Sequence, residues 1–248
     1  MSIRRFMIST RCIGDGTALL GEEHYRHIVR VLRLPVGSPL TLVDETGCEH
    51  AAVIERIDDG QLLATITSSR AVAAPASAAP GITVCQAIPK GEKIDLILQK
   101  GTELGAQEFW FFGGRRSVVR LKDDQVPAKL ARWEKIAAEA ARQCGRNTLP
   151  GVRWFSTAAE AADAATQRLR LILNEDERTT GLKDALAAAG RPDSIIVAIG
   201  PEGGFDPAET GQFTGCGFRS ITLGKRILRT ETAAIAIVAV LQYIHGDI

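Results

Sequence analysis

From residue 82 onward, short apolar runs of strand character take turns with segments of helical period, and this alternation restricts the fold more than any other feature. The order is Ile82 to Ala87, Lys93 to Glu103, Glu108 to Phe112, Ala128 to Gln143, Leu169 to Asn174, Leu182 to Ala188, Ser194 to Ile199 and Thr230 to Ile244. Strands separated by helices pair in parallel, because each helix carries the chain back across the sheet. The pattern predicts an α/β domain with a parallel sheet over residues 82–248.

Residues 1–72 have a different grain. Leu40 to Asp44, Glu49 to Arg56 and Leu62 to Ser68 mix β-branched and apolar residues, with turn signals Glu45-Thr46-Gly47 and Asp58-Asp59-Gly60 between them. They predict a small β-barrel. One helix is expected within it, Glu22 to Leu32, where His24, His27, Ile28, Val31 and Leu32 recur at helical spacing. Ala71 to Pro80, AVAAPASAAP, has no apolar period and suits a semi-extended linker. The boundary therefore falls at 73–81.

Hydrophobic residues make up 45% and charged residues 24%, a globular balance that excludes long disorder. No apolar run approaches the ~18 residues needed to span a bilayer, and MSIRRFMIST offers no apolar segment before a cleavage site. A cytoplasmic protein without membrane contact is expected. Five cysteines, Cys12, Cys48, Cys85, Cys144 and Cys216, form no C-x-x-C pair and are expected to be free thiols. His24 and His27 lie three apart on the predicted helix with no third ligand in view, so no metal is predicted. Lys and Arg number 30 against 29 Asp and Glu, so a nucleic-acid surface would have to come from local clustering.

Two segments carry candidate chemistry. Ile195 to Ile199 is a wholly apolar strand that runs into Gly200-Pro201-Glu202-Gly203-Gly204-Phe205-Asp206. Ligands in open α/β sheets sit at strand carboxyl ends, and glycines there let backbone approach a ligand. A plain βα turn would also use glycines, and Asp206-Pro207 reads simply as the N-cap and first residue of a helix. The second segment, Leu223-Gly224-Lys225-Arg226-Ile227-Leu228-Arg229-Thr230-Glu231-Thr232-Ala233, is again a strand end, a glycine turn and a helix that Thr230 or Thr232 could cap. Basic residues and hydroxyls at a helix start suit an anion or RNA phosphate, and a solvated charged turn would look the same. Neither a Walker A loop nor a Rossmann G-x-G-x-x-G follows any predicted strand, so triphosphate and dinucleotide binding lack their usual apparatus.

The strings IGPEGGF, LGKRILRTETAA, QAIPKGEKIDLILQKGTELGA, RSVVRL and RWEKIAAEAARQCGR closely resemble the 16S ribosomal RNA uracil-N3 methyltransferase family of the SPOUT superfamily. The resemblance covers nearly the whole chain. It implies an N-terminal PUA-like β-barrel that helps hold RNA and a C-terminal SPOUT domain whose deep trefoil knot forms an S-adenosylmethionine pocket, an exception to the rule against threading. It implies methylation of a uridine N3 in the decoding region of the small subunit. By position, Leu173, Asn174, Ile199, Gly200, Pro201, Glu202, Gly203, Gly204, Leu223, Gly224, Ile227, Leu228, Arg229 and Thr232 would surround the cofactor. The family is dimeric, which would place the stripe Ala233, Ile237, Val240 and Leu241 of the last helix partly at an interface; burial in the chain's own core is the simpler use of such a stripe. Cys144 departs from the family pattern, which has a small hydroxyl residue there, and nothing nearby would activate it as a nucleophile.

Removing the N3 proton requires a base within reach or a cation that stabilises the uridine anion. Arg229 is the candidate for the second role, and Glu202 or Glu231 for the first, unless either forms a structural ion pair. RNA contacts are expected from Arg4, Arg5, Arg11, Arg30 and Arg33 in the barrel and from Arg115, Arg116, Arg120, Arg142 and Arg146 beyond it, with phosphates supplying most of the affinity. Two other functions fit parts of the sequence: a non-catalytic RNA-binding or assembly protein, which would bind no cofactor, and a SPOUT methyltransferase acting on another RNA.

Overall fold

The computed structural model describes residues 5–44, 46–71, 79–146 and 148–245. Arg4 and residues 73–78 of the expected linker lie outside them. The chain forms two compact units, Met1–Ala76 with Ala141–Leu149, and Ser77–Ala140 with Pro150–Ile248.

The first unit is built on one sheet. Its strands are β1 (Arg5–Ile8), β2 (Ile13–Gly14), β3 (Thr17–Leu20), β4 (Pro39–Asp44), β5 (Cys48–Asp58) and β6 (Gln61–Ala71). The order is β1-β4-β5-β6-β3-β2, with β1 parallel to β4 and the other pairs antiparallel. Alternation drives Leu40, Leu42, Ala52, Ile54, Leu62 and Ala64 into a core closed by Ile28. The expected helix begins as α1 (Glu22–Tyr25) and continues from Arg26 to Val31 with the wider π turn. It ends at Val31, and two residues beyond, Arg33 adopts φ +53°, an uncommon conformation outside glycine.

The second unit is a parallel sheet covered on both faces. In chain order it contains β7 (Gly81–Ala87), α2 (Lys93–Glu103), β8 (Glu108–Phe112), α3 (Val126–Cys144, whose last residues, from Ala141, belong to the first unit), β9 (Gly151–Phe155), α4 (Ala158–Asp163), β10 (Leu169–Leu173), α5 (Leu182–Ala189), β11 (Ser194–Ile199), α6 (Pro207–Gly215), β12 (Arg219–Ile221) and α7 (Thr230–His245). The strand order is β12-β10-β11-β7-β8-β9, and every pairing is parallel. Being buried on both faces explains why Ile195 to Ile199 is apolar throughout. On one face Val84, Phe109, Phe111 and Val197 pack with Ile97 and Leu98 of α2 and Ile237 and Leu241 of α7. On the other, Trp110, Phe112, Ile172 and Ala198 pack with Ala161 of α4 and Phe213 of α6.

Asp206 caps α6 as expected, accepting from the Ala208 N–H at 3.0 Å, with Pro207 in the first turn. The stripe on α7 mostly faces the chain's own core: Ala233, Ile237 and Leu241 are buried, while Val240 is 40% exposed. No helix among the described residues is long and apolar enough to cross a membrane.

Candidate active site

The order β12-β10-β11 brings three strand ends of one sheet side by side. The loops leaving them, together with the start of α7, enclose a pocket of about 370 Å³. Of the sequence-expected residues, Leu173, Asn174, Ile199, Gly200, Pro201, Glu202, Gly204, Leu223, Gly224, Ile227, Leu228 and Arg229 line it. Gly203 and Thr232 do not. Gly203 turns its Cα toward Arg116, whose guanidinium donates to the Gly203 carbonyl at 3.1 Å, and Thr232 faces solvent on α7.

The glycines have distinct duties. A Cβ on Gly200 would meet the backbone of Gly204 and Phe205 at 3.1 Å, so the loop folds tightly over that position. Gly204 takes φ +69°, and a Cβ there would collide with the Glu175 carboxylate.

Ten further residues line the pocket, including Lys93, Glu175, Arg178, Phe205, Lys225, Arg226 and Thr230. Lys225, Arg226 and Thr230 lie inside the motif already singled out. Lys93 is brought in by sheet order, because β7, which precedes its helix, pairs with β11. Its ammonium meets Glu202 at 2.7 Å and Glu231 at 3.5 Å, and Glu202 also accepts from the Lys90 N–H at 3.0 Å. Partial burial pushes the Glu202 pKa up, but the Lys93 bond and backbone N–H groups outweigh it and hold the carboxyl below its ordinary value. The Glu202 bond correspondingly raises the Lys93 pKa. Glu202 is thus the charged partner of a lysine, in the structural ion pair that the sequence left open.

Beneath the pocket lies a residue that sequence reasoning missed. Gln86, fully buried at the end of β7, donates through Nε2 to the Thr230 hydroxyl at 2.8 Å, to the Ala87 carbonyl at 2.8 Å and to the Gly200 carbonyl at 3.1 Å. The Thr230 hydroxyl donates in turn to the Gly200 carbonyl at 2.7 Å. One amide and one hydroxyl thereby tie β7, the loop after β11 and the start of α7 together.

The rim is electropositive. Arg178, Lys225, Arg226 and Arg229 line the pocket, and among the described residues none of their side chains has a hydrogen-bond or ion-pair partner. Beside the loop after β11, Arg115 faces Asp206 at 3.8 Å, and Arg120 donates to the Arg115 carbonyl at 3.3 Å. In the first unit, Arg5 pairs with Glu49 at 2.7 Å, Arg30 lies 5.7 Å from the Tyr25 ring centroid, and Arg142 meets Glu23 at 3.7 Å. Arg11 and Arg33 are exposed there, and Arg146, which is half-buried, belongs to the same unit. His24 bonds the Met7 carbonyl at 2.7 Å while His27 meets the Phe6 ring edge-on at 5.9 Å, so the two serve separate contacts. Cys144 is exposed, its Sγ 3.6 Å from the Ala141 carbonyl.

S-adenosylmethionine fits this site. The volume lies in the range of small-molecule pockets, the strand ends offer backbone N–H and C=O groups for a purine and ribose, and Leu173, Ile199, Leu223 and Leu228 offer apolar wall. Residues 77–242 match the family model of the RNA methyltransferase domain, and residues 20–67 match that of the RNA methyltransferase PUA domain. The chain is 31% identical over 243 residues to the ribosomal RNA small subunit methyltransferase E of Bacillus subtilis, covering 93% of this chain and 92% of that one. Among solved structures, it is similar to the ribosomal RNA small subunit methyltransferase E of Neisseria gonorrhoeae bound to S-adenosyl methionine, with 32% identity, a TM-score of 0.84 and 99% of both chains covered. A Legionella pneumophila protein in complex with the bound cofactor SAM gives 32% identity, a TM-score of 0.86 and 98% coverage of each. A parallel sheet with a three-loop pocket, preceded by a PUA domain, thus belongs to the ribosomal RNA small subunit methyltransferase E family of S-adenosylmethionine-dependent enzymes.

Proposed function

We propose that this chain methylates N3 of a uridine in 16S ribosomal RNA, in the decoding region of the small subunit, and works in the cytoplasm as a homodimer. The observation that carries the proposal is the pocket at three strand ends, rimmed by Arg178, Lys225, Arg226 and Arg229, whose side chains have no partner among the described residues. A cofactor site with free positive charge at its mouth suits a polyanionic acceptor.

Bound S-adenosylmethionine supplies a methyl group on a positively charged sulfur, open to in-line displacement. The protein's task is alignment and charge. Backbone at residues 199–202, 204 and 223–229 would hold the cofactor, and the Gln86–Thr230 ties keep those two walls at a fixed separation. Arg229, immediately before the first turn of α7, offers a permanently charged planar fork to the uracil oxygen that gains charge as N3 loses its proton. Glu202, ionised and engaged by Lys93, is a weak proton acceptor and serves better to fix Lys93 against the pocket wall. N3 lies on the pairing edge, so the target base must be unstacked before it can enter.

The arginines named above in each unit would position the RNA through phosphates. A knotted topology rests on the family resemblance, and α7, which follows edge strand β12, packs on β7, β11 and α2. A dimer is supported by exposed Val240, Tyr243 and Ile244 on α7 and Leu96 on α2.

The test is transfer of labelled methyl from S-adenosylmethionine to small subunits lacking the modification, with the product nucleoside identified by mass spectrometry. We expect 3-methyluridine, abolished by Arg229→Ala with the circular dichroism spectrum unchanged. Label on another base or on ribose would refute the substrate assignment, and turnover by Arg229→Ala would refute that residue's role.

A further inference from the structure

Within the first unit, the turn between β4 and β5 gathers Asp44, Cys48 and His50. Their ligand-type atoms all lie within 4.8 Å of one another, and two of the three residues are buried. Asp44 is 4% exposed and His50 6% exposed, in a unit remote in sequence from the cofactor motifs. Buried carboxylate and imidazole groups are costly unless something claims their polar atoms.

The supporting bonds are arranged as in metal sites. One Asp44 oxygen, Oδ1, accepts from the Thr46 N–H at 2.9 Å, the Thr46 hydroxyl at 2.6 Å and the Cys48 N–H at 3.0 Å. Those three bonds fix the carboxylate and leave Oδ2 facing His50 Nε2 at 3.2 Å. The other imidazole nitrogen, Nδ1, bonds the Ser69 hydroxyl on β6 at 2.8 Å, which sets the ring's orientation. An outer hydrogen bond on the far nitrogen and an anchored far oxygen on the carboxylate are what ligating His and Asp residues ordinarily carry. In a tetrahedral zinc site, neighbouring N, O and S ligands stand roughly 3.3–3.6 Å apart. The Asp44–His50 pair stands close to that spacing at 3.2 Å, and the Cys48 ligand atom lies within 4.8 Å of both partners.

We propose that Asp44 Oδ2, Cys48 Sγ and His50 Nε2 bind a divalent zinc-class cation, with a fourth position left to water. An oxygen, nitrogen and thiolate set selects a borderline-soft ion over magnesium or calcium. Two anionic ligands balance the ion's charge, and binding releases the Cys48 proton together with any proton on His50 Nε2. The ion would pin the β4–β5 turn to β6 through the His50–Ser69 bond. The pattern Asp-x3-Cys-x-His contains no C-x-x-C and no second histidine, which is why spacing alone did not flag it.

The test uses the full chain, freed of metal with a chelator and titrated with Zn²⁺ and with Co²⁺. We expect one Zn²⁺ retained per chain through buffer exchange and a near-ultraviolet thiolate-to-cobalt absorption band. That band should vanish in Cys48→Ser, and Ser69→Ala should weaken affinity on the order of 10-fold. A measurement on the unaltered chain guards against misfolded variants: Zn²⁺ should slow alkylation of Cys48 but not of Cys144. Absence of the thiolate band, its persistence in a folded Cys48→Ser chain, or equal alkylation with and without Zn²⁺ would each overturn the proposal.

Discussion

Replacing Thr230 with valine isolates the tie beneath the pocket. The change keeps the side chain's shape and deletes a hydroxyl that donates to the Gly200 carbonyl at 2.7 Å and accepts from Gln86 at 2.8 Å. Both partners keep an alternative, since Gly200 retains Gln86 Nε2 at 3.1 Å and Gln86 retains the Ala87 carbonyl at 2.8 Å. Two bonds are lost at roughly 1 kcal/mol each, with no group left wholly unpaired, so unfolding free energy should fall by about 1–2 kcal/mol. The lost bonds set the distance between two cofactor-binding walls, so cofactor affinity should fall too, about tenfold for each 1.4 kcal/mol. Gln86→Leu removes the donor itself and should cost about 2–4 kcal/mol, because buried carbonyls then lose a partner. The double variant should lose less than the sum, as the two residues share one network. Urea unfolding and calorimetric titration with S-adenosylmethionine measure both quantities. A Thr230→Val protein that unfolds more easily yet binds the cofactor within twofold of the parent would refute the claim that the tie shapes the pocket.

Gly200→Ala should weaken cofactor binding by about tenfold or more, because its Cβ would press on backbone at 3.1 Å that cannot rotate aside. Titration of that variant, beside Gly203→Ala as a variant outside the pocket lining, checks it. The Lys93–Glu202 pair predicts a pH signature. Glu202, with its pKa lowered, stabilises the fold above the ordinary carboxylate range and loses that contribution as pH falls through its folded value. Lys93, with its pKa raised, stabilises below the ordinary lysine range and loses its contribution as pH rises through its folded value. Glu202→Gln should therefore flatten part of both limbs in unfolding measurements from acid to alkaline pH. For RNA, Arg226→Ala should reduce the slope of log affinity against log salt by about 1 if that side chain meets a phosphate. An unchanged slope would assign it another duty.

How much was legible follows from the reach of each signal. The apolar run at Ile195 to Ile199 and the glycine strings after it marked a strand end and a turn, and the structure puts both at the pocket. Adjacent glycines cannot be told apart by residue type, so Gly203 and Gly204 received one role although only Gly204 lines the pocket. Strands β1, β2, β3, β9 and β12 are short or carry weak alternation, and periodicity passed over them. The helix at Glu22 was found, but its π turn was not, since one added residue per turn barely alters an apolar pattern over ten positions. Gln86 was invisible for a different reason: its partners stand 114 and 144 residues away and meet it only through strand order.

The sheet order also governs when the enzyme can first hold its cofactor. Strand β7 opens the catalytic unit, yet its neighbour β11 is made more than a hundred residues later, and the pocket's last wall is the start of α7 near the end of the chain. Pairings of such long separation form slowly, because the intervening chain must be ordered before they are rewarded. A chain emerging from the ribosome therefore carries a finished first sheet well before it has any cofactor site. Until Thr230 and Ala233 are released, the ends of β10 and β11 have no opposing wall, and the growing chain is an RNA-binding unit without a methyl donor.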